Sequence, residues 1–139
     1  MSGMTNFPIV VFHNPECGTS RNVVAMIRAA GYEPKIVEYL KTGWTAGQLV
    51  KLLGAMGARP RDILRDKGTP AAELGLLAKD VTDEAILEAM VANPILVNRP
   101  IVVTRLGIRL CRPSETVFDL LDRKPESFTK EDGEIVRPG

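Results

Sequence analysis

Cys17 stands where a sequence places a reactive thiol. It follows the apolar run Ile9 to Phe12 and a short turn, and it comes directly before the expected first turn of a helix. The unpaired backbone N–H groups and the positive end of the dipole at a helix start stabilise a thiolate. The same groups hold oxyanions. We therefore predict a nucleophile and an anion site in one loop.

The neighbours of Cys17 offer further groups for this chemistry. Position 20, where a dithiol oxidoreductase has its second cysteine, is Ser20, so a second thiol has to come from another molecule. Thr19 and Ser20 are expected to cap the helix, and the Ser20 hydroxyl to donate to the thiolate. Two roles fit His13, the only histidine: a general base, or a group that orders the loop and tunes the thiol pKa.

The second cysteine, Cys111, has a different setting. It follows Ile108 and Leu110 in the alternating pattern of a half-buried strand, which favours packing, while a disulfide with Cys17 after reaction stays open. One histidine and two distant cysteines predict no metal site. The two thiols form no disulfide framework, which indicates the reducing cytosol.

Composition describes a small soluble chain. The 139 residues are 45% hydrophobic and 25% charged with a formal net charge of +1, which favours one globular domain and gives no general field for nucleic acid. No apolar stretch reaches the ~20 residues that span a bilayer, and the first six residues lack the features of a signal peptide. We expect a cytoplasmic monomer with no membrane attachment.

Hydrophobic periodicity predicts how the first part of the chain positions Cys17. The run Ile9 to Phe12 has the composition of a buried strand, a helical pattern runs from about Thr19 to Gly31, and residues 35–40 form a second strand. Strand, helix and strand over about 30 residues form a βαβ unit with parallel strands.

The remaining elements complete the order β-α-β, helices, β-β, α. Thr45 and Gln48 have the spacing of a capping box that begins a second helix, and a broken helical insertion is expected at about 60–93. Residues 101–104 and 108–111 flank a hairpin turn that contains Gly107. Ser114 is expected to cap a last helix through about residue 121, and the tail from about residue 123 to be irregular.

This order, with a cysteine directly after the first strand, resembles the thioredoxin and glutaredoxin fold, an α/β fold with a mixed sheet, here with a helical insertion. Four blocks narrow the resemblance to the glutaredoxin-coupled arsenate reductase family. They are HNPECGTSRN at 13–22, ILR at 63–65, NRPIVV at 98–103 and RLCRP at 109–113. The blocks occur in the same order and extend over nearly the whole chain.

The resemblance implies a role for each matching residue. Cys17 corresponds to the nucleophile, and Arg65, Arg99 and Arg112 to the arginines that bind the oxyanion. Pro100 corresponds to a cis-proline that faces the active-site loop. Independently, planar guanidinium groups bind paired oxygens and would lower the thiol pKa from about 8.5 toward ~3.5–7.5.

The resemblance also implies a reaction. The Cys17 thiolate would attack arsenate held by the arginines and by the turn at Gly18 and Thr19. Glutathione, as co-substrate, would reduce the adduct and release arsenite, and glutaredoxin would clear the resulting mixed disulfide. No tightly bound cofactor is implied. Phosphate and sulfate would compete for the same site.

Two other functions stay open at this point. Thioredoxin-like regulators with a similar layout act by binding RNA polymerase, but they carry a C-x-x-C pair where this chain has Ser20. A monothiol glutaredoxin-like oxidoreductase would act on glutathione mixed disulfides and would not need three arginines.

Overall fold

The computed structural model of the protein describes residues 8–139, which fall into two compact units. The first contains the described residues up to Glu38 together with residues 99–139, and the second contains residues 39–98. No helix in the described range is both long and apolar enough to cross a membrane.

A four-stranded mixed sheet forms the centre of the first unit. Strands β1 (Val10–His13), β2 (Lys35–Glu38), β3 (Ile101–Thr104) and β4 (Gly107–Leu110) lie in the order β2-β1-β3-β4. Strands β1 and β2 are parallel, whereas β1 with β3 and β3 with β4 are antiparallel. The predicted mixed α/β fold class, its βαβ start and its hairpin are confirmed.

Helix α1 (Gly18–Ala29) connects β1 to β2 and supplies much of the core. Val23, Met26 and Ile27 have the spacing of one helix face, and all three are fully buried. They share a cluster with apolar side chains of β1 and β3. Full burial of such a side chain contributes roughly 1.5–3 kcal/mol. Gly31, with a φ of 97°, follows the helix as the sequence predicts.

The hairpin of β3 and β4 is fastened to the segment that follows it. Arg105 and Leu106 form the turn, and Gly107 follows with a φ of 149°. The buried hydroxyl of Thr104 donates to the Leu120 carbonyl at 2.7 Å and accepts the Leu106 N–H at 3.0 Å.

The last helix differs from its prediction. Residues Ser114–Leu120 form a 3₁₀ helix rather than an α-helix. The prediction that Ser114 caps it is wrong, because the N-cap position falls on Pro113, whose side chain has no hydrogen-bonding group.

The C-terminal tail contains a small hairpin where the sequence predicts irregular structure. Strands β5 (Phe128–Thr129) and β6 (Ile135–Val136) pair antiparallel. Phe128 and Val136 pack against the core of the first unit. This long-range contact orders the segment, and the local sequence pattern gives no sign of it.

The second unit is mostly helical. It contains α2 (Tyr39–Thr42), α3 (Ala46–Met56) and α4 (Asp83–Ala92), with 3₁₀ helices at Pro60–Ile63 and Pro94–Leu96. Within the insertion expected at 60–93, only the residues at its two ends are helical, and those between form mainly turns.

Two local predictions in the second unit have different outcomes. The capping box is confirmed, since the Gln48 N–H donates to the Thr45 hydroxyl and the Thr45 N–H to the Gln48 side chain. The strand predicted for residues 35–40 ends early, because Tyr39 begins α2 and donates its hydroxyl to the Val97 carbonyl at 2.7 Å.

Replacement of Thr104 by valine is expected to destabilise the fold by about 1–3 kcal/mol, because the Leu120 carbonyl and the Leu106 N–H lose their buried partner. Guanidinium unfolding measures this loss. Thr129→Val, at an exposed strand position, is the matched control. Equal stability of both variants would contradict the expectation.

Candidate active site

Cys17 is the N-cap residue of α1. Its φ and ψ of −99° and 120° are extended, and the helix has no side-chain cap. The Cys17 N–H donates to the Asn14 carbonyl at 3.0 Å, and the Cys17 carbonyl accepts the Arg21 N–H at 2.9 Å. The thiol therefore lies at the start of a helix, as predicted, and 8% of the residue is exposed.

The sheet brings two of the predicted arginines to this thiol. Arg99 precedes β3, Arg112 follows β4, and the pairing of Ile101 with Leu110 places both at one end of the hairpin. Because β1 runs antiparallel to β3, its carboxyl end meets the same end of the sheet. The loop that leaves β1 leads directly to Cys17.

Both arginines bind the sulfur. The Arg112 Nη1 lies 3.7 Å from the Cys17 Sγ and also donates to the Arg99 carbonyl at 2.9 Å. The Arg99 side chain forms a second hydrogen bond to the thiol. The bond from Arg99 to Pro100 is cis, as the resemblance implies, and so is the bond from Arg112 to Pro113.

These contacts set the ionisation of the thiol. Burial raises the pKa of Cys17, but hydrogen bonds from the Arg99 side chain, the Ser20 backbone N–H and the Arg112 side chain outweigh it and lower the pKa to about 7. A free cysteine has a pKa of about 8.5. The thiolate is therefore more populated near neutral pH than it is in a free cysteine.

His13 and Ser20 form a buried network beneath the loop. The His13 Nδ1 lies 2.6 Å from the Ser20 Oγ, which also accepts the Asn14 N–H at 3.2 Å. Burial lowers the pKa of His13, although the charge of Glu38 opposes this shift. These bonds favour the role of His13 in ordering the loop, since the ring contacts the loop through Ser20.

The hydroxyl groups after Cys17 do not cap the helix as predicted. The N-cap position belongs to Cys17, so Thr19 and Ser20 lie inside the first turn. The Ser20 hydroxyl bonds to His13 and Asn14, and it is the Ser20 backbone N–H that reaches the sulfur.

The first turn of α1 also holds the other two predicted anion-binding residues. Gly18 and Thr19 are its first two residues, and N–H groups at these positions have no acceptor within a helix. Their role in binding a substrate stays a prediction.

Arg65 belongs to the second unit. Its Nη1 donates to the Asn98 side chain at 3.3 Å and its Nε to the Lys67 carbonyl at 3.2 Å. Its backbone N–H donates to the Leu96 carbonyl at 2.7 Å, next to the bridge between residues 64 and 97. The guanidinium group is thus held by its own unit, and its part in anion binding stays a prediction.

Cys111 lies in the core, as the packing interpretation predicts. It is fully buried, and burial raises the pKa of its thiol to about 11. No group of three His, Cys, Asp or Glu side chains among residues 8–139 is arranged to hold a metal ion.

Sequence reasoning missed two residues that shape the loop. The Asn14 side chain, in a residue that is 2% exposed, accepts the Glu16 N–H at 2.9 Å and closes the turn before Cys17. Arg21 donates to the Pro15 carbonyl at 2.8 Å. Asn14 stands before Pro15, and Asn before Pro is a turn signal that points to it. Nothing in the local sequence points to Arg21.

The alkylation rate of Cys17 by iodoacetamide is expected to rise with pH around a midpoint near 7, because only the thiolate reacts. The variant Cys17→Ser, which keeps the sealed Cys111, should show almost no reaction below pH 9. A midpoint near 8.5 in the wild-type protein would contradict the stabilisation described above.

Several known proteins are similar to this chain in sequence or in fold. An arsenate reductase of Synechocystis sp. is 59% identical over 134 residues, 96% of this chain and 93% of that protein. An arsenate reductase of Escherichia coli K12 is 52% identical over 129 residues, 92% of each chain. The structure of an arsenate reductase from Vibrio cholerae superposes with a TM-score of 0.77 at 34% identity, covering 83% of this chain and 98% of that one. Residues 12–120 match the ArsC family, and the chain belongs to that family.

Proposed function

We propose that this protein is an arsenate reductase that uses Cys17 as its nucleophile. The observation that carries the proposal is a thiol with a pKa of about 7 held between Arg99 and Arg112 at the start of a helix. Reduction of arsenate by a thiol needs a nucleophile next to cationic groups that bind the oxyanion, and both lie together here. The family relatives that are named arsenate reductases support the same assignment.

Binding of arsenate draws on fixed positive groups. Guanidinium groups present paired N–H donors that match two oxygens of a tetrahedral anion, and they keep their charge at any relevant pH. Arg99 and Arg112 supply such groups beside the sulfur, together with the N–H groups of the first turn of α1. The family resemblance supports Arg65 as a third arginine for the anion.

The first chemical step joins sulfur to arsenic. The Cys17 thiolate attacks arsenic(V), an S–As bond forms, and one arsenate oxygen leaves as water after protonation. The arginines stabilise the negative charge on the remaining oxygens throughout. His13, whose pKa is lowered by burial, contributes through its bond to Ser20 rather than as a charged donor.

Reduction uses a thiol from outside the chain. The glutathione sulfur attacks the Cys17 sulfur, and the electron pair of the S–As bond passes to arsenic, which leaves as arsenite. A Cys17–glutathione disulfide remains. A glutaredoxin thiolate then attacks the glutathione sulfur and returns Cys17 to its thiolate form. Ser20 at the position of a resolving cysteine supports this use of external thiols.

The same observations bear on the two alternatives. A thioredoxin-like regulator of the C-x-x-C type needs a second cysteine at position 20 to form its disulfide, and this chain has Ser20 there. A glutaredoxin-like oxidoreductase has no need for two guanidinium groups on the thiol. We also propose a monomer in the cytoplasm, where both free cysteines stay reduced.

Replacement of Cys17 by serine should abolish arsenite formation in an assay with arsenate, glutathione and glutaredoxin, because an alcohol replaces the only nucleophile of the proposed site. Cys111→Ala is the matched control. It removes a buried sulfur and is expected to lower stability while arsenite formation persists. Substantial turnover by Cys17→Ser would refute the proposal.

Phosphate should inhibit competitively without being turned over. It has nearly the shape and charge of arsenate, and a binding site separates such isosteres poorly. A thiol reduces arsenic(V) but not phosphorus(V). Steady-state kinetics at several phosphate concentrations test this, and an unchanged apparent KM for arsenate would count against an oxyanion site at the arginines.

A further inference from the structure

The C-terminal hairpin places a carboxylate on the active-site helix. Between β5 and β6, the Glu131 Oε2 accepts the Arg21 Nε–H at 2.8 Å and its Oε1 accepts an Nη2–H at 3.0 Å. The Glu131 backbone N–H donates to the Asn22 side chain at 3.0 Å. Two parallel bonds between a guanidinium and a carboxylate fix direction as well as distance.

The same guanidinium group holds the catalytic loop. The Arg21 Nη1 donates to the carbonyl of Pro15 at 2.8 Å, two residues before the nucleophile. On the other side of Cys17, Gly18 faces the same ion pair, with space for no more than a methyl group between its Cα and the Arg21 and Glu131 side chains. The ion pair thus bonds to the chain before the cysteine and lies next to the chain after it.

The hairpin that carries Glu131 is fixed without help from Arg21. The Lys130 Nζ lies 2.7 Å from the Glu115 carboxylate and 3.0 Å from that of Glu134. Phe128 and Val136 anchor the two strands in the core. Glu131 therefore lies on a hairpin that other contacts hold in place.

Stability gives little reason for this arrangement. The side chains of Arg21 and Glu131 are 45% and 47% exposed, and ion pairs with this exposure add little to the free energy of unfolding. What the pair restricts is the position of the Pro15 carbonyl, and with it the turn before Cys17.

Loss of the Glu131 charge and loss of the loop position are expected to shift the pKa of the Cys17 thiol in opposite directions. The hydrogen bond to Glu131 raises the pKa of Arg21, and the negative charge of Cys17 adds to this shift. Loss of the carboxylate charge alone would leave Arg21 uncompensated and would lower the thiol pKa. Loss of loop position would weaken the bonds from Arg99 and Arg112 to the sulfur and would raise it.

We propose that Glu131 is a positioning residue of the catalytic loop. Through Arg21 it holds the Pro15 carbonyl, and so the turn that presents the Cys17 sulfur to its arginine donors. The effect on the thiol is independent of the substrate, and only the effect on turnover rests on the proposed function.

The pH dependence of Cys17 alkylation in the variant Glu131→Gln tests this. The glutamine keeps the size of the side chain but offers one acceptor oxygen instead of two, so the thiol pKa should rise above that of the wild-type protein. Arg21→Lys keeps the charge but has no fork to bridge the loop and the hairpin, and it should raise the thiol pKa as well. If Glu131→Gln fails to fold, Arg21→Lys carries the test alone.

Glu126→Gln is the matched control, since it removes the same charge from an exposed position of the same C-terminal tail, just before β5. Its thiol pKa should equal that of the wild-type protein. A lowered or unchanged pKa in Glu131→Gln, or an equal rise in Glu126→Gln, would overturn the inference.

Turnover gives a second readout. Arsenite formation by Glu131→Gln should fall about tenfold in kcat, because small displacements of a nucleophile are costly, with little change in KM. Alkylation needs no arsenate. A wild-type protein that forms no arsenite would therefore refute the proposed function and leave the alkylation result standing.

Discussion

The hydrogen bond from Arg112 to the Cys17 sulfur connects the sheet to the chemistry of the loop. Burial alone would raise the pKa of this thiol, and only the donors around the sulfur bring it down to about 7. The donors reach the sulfur because of strand order. Since β3 lies between β1 and β4 and is antiparallel to both, the end of β1, the start of β3 and the end of β4 lie side by side at one end of the sheet. A different strand order would separate the Cys17 thiol from Arg99 and Arg112.

The parts of the fold that the sequence predicts correctly are encoded by neighbouring residues. The apolar run that becomes β1, the capping box at Thr45 and the turn before Gly107 each follow from local pattern or backbone conformation. The errors lie where distant contacts decide. The tail hairpin is ordered by packing of Phe128 and Val136 on the core, and the second strand stops where the Tyr39 hydroxyl finds the Val97 carbonyl.

The candidate site divides in the same way. The position of Cys17 at a helix start follows from its immediate neighbours. Only the family resemblance points to Arg99 and Arg112, and strand pairing brings both to the sulfur. The local pattern around Cys17 does not predict the partners that the Ser20 hydroxyl has in the structure, His13 and Asn14. The bond between Arg21 and Glu131 joins residues 110 positions apart, a separation over which periodicity carries no information.

The carbonyl of Arg99 helps to hold the Arg112 side chain in its place beside the sulfur. Arg112 Nη1 is shared between that carbonyl and the Cys17 sulfur, so the guanidinium group keeps one main-chain partner when the sulfur becomes bonded to another atom and loses its charge. The cost of ordering this long side chain is then incurred once, during folding, and not again in each cycle of the proposed reaction. The hydrogen bond to the Arg99 carbonyl also couples the two arginines, because the backbone of Arg99 holds the side chain of Arg112.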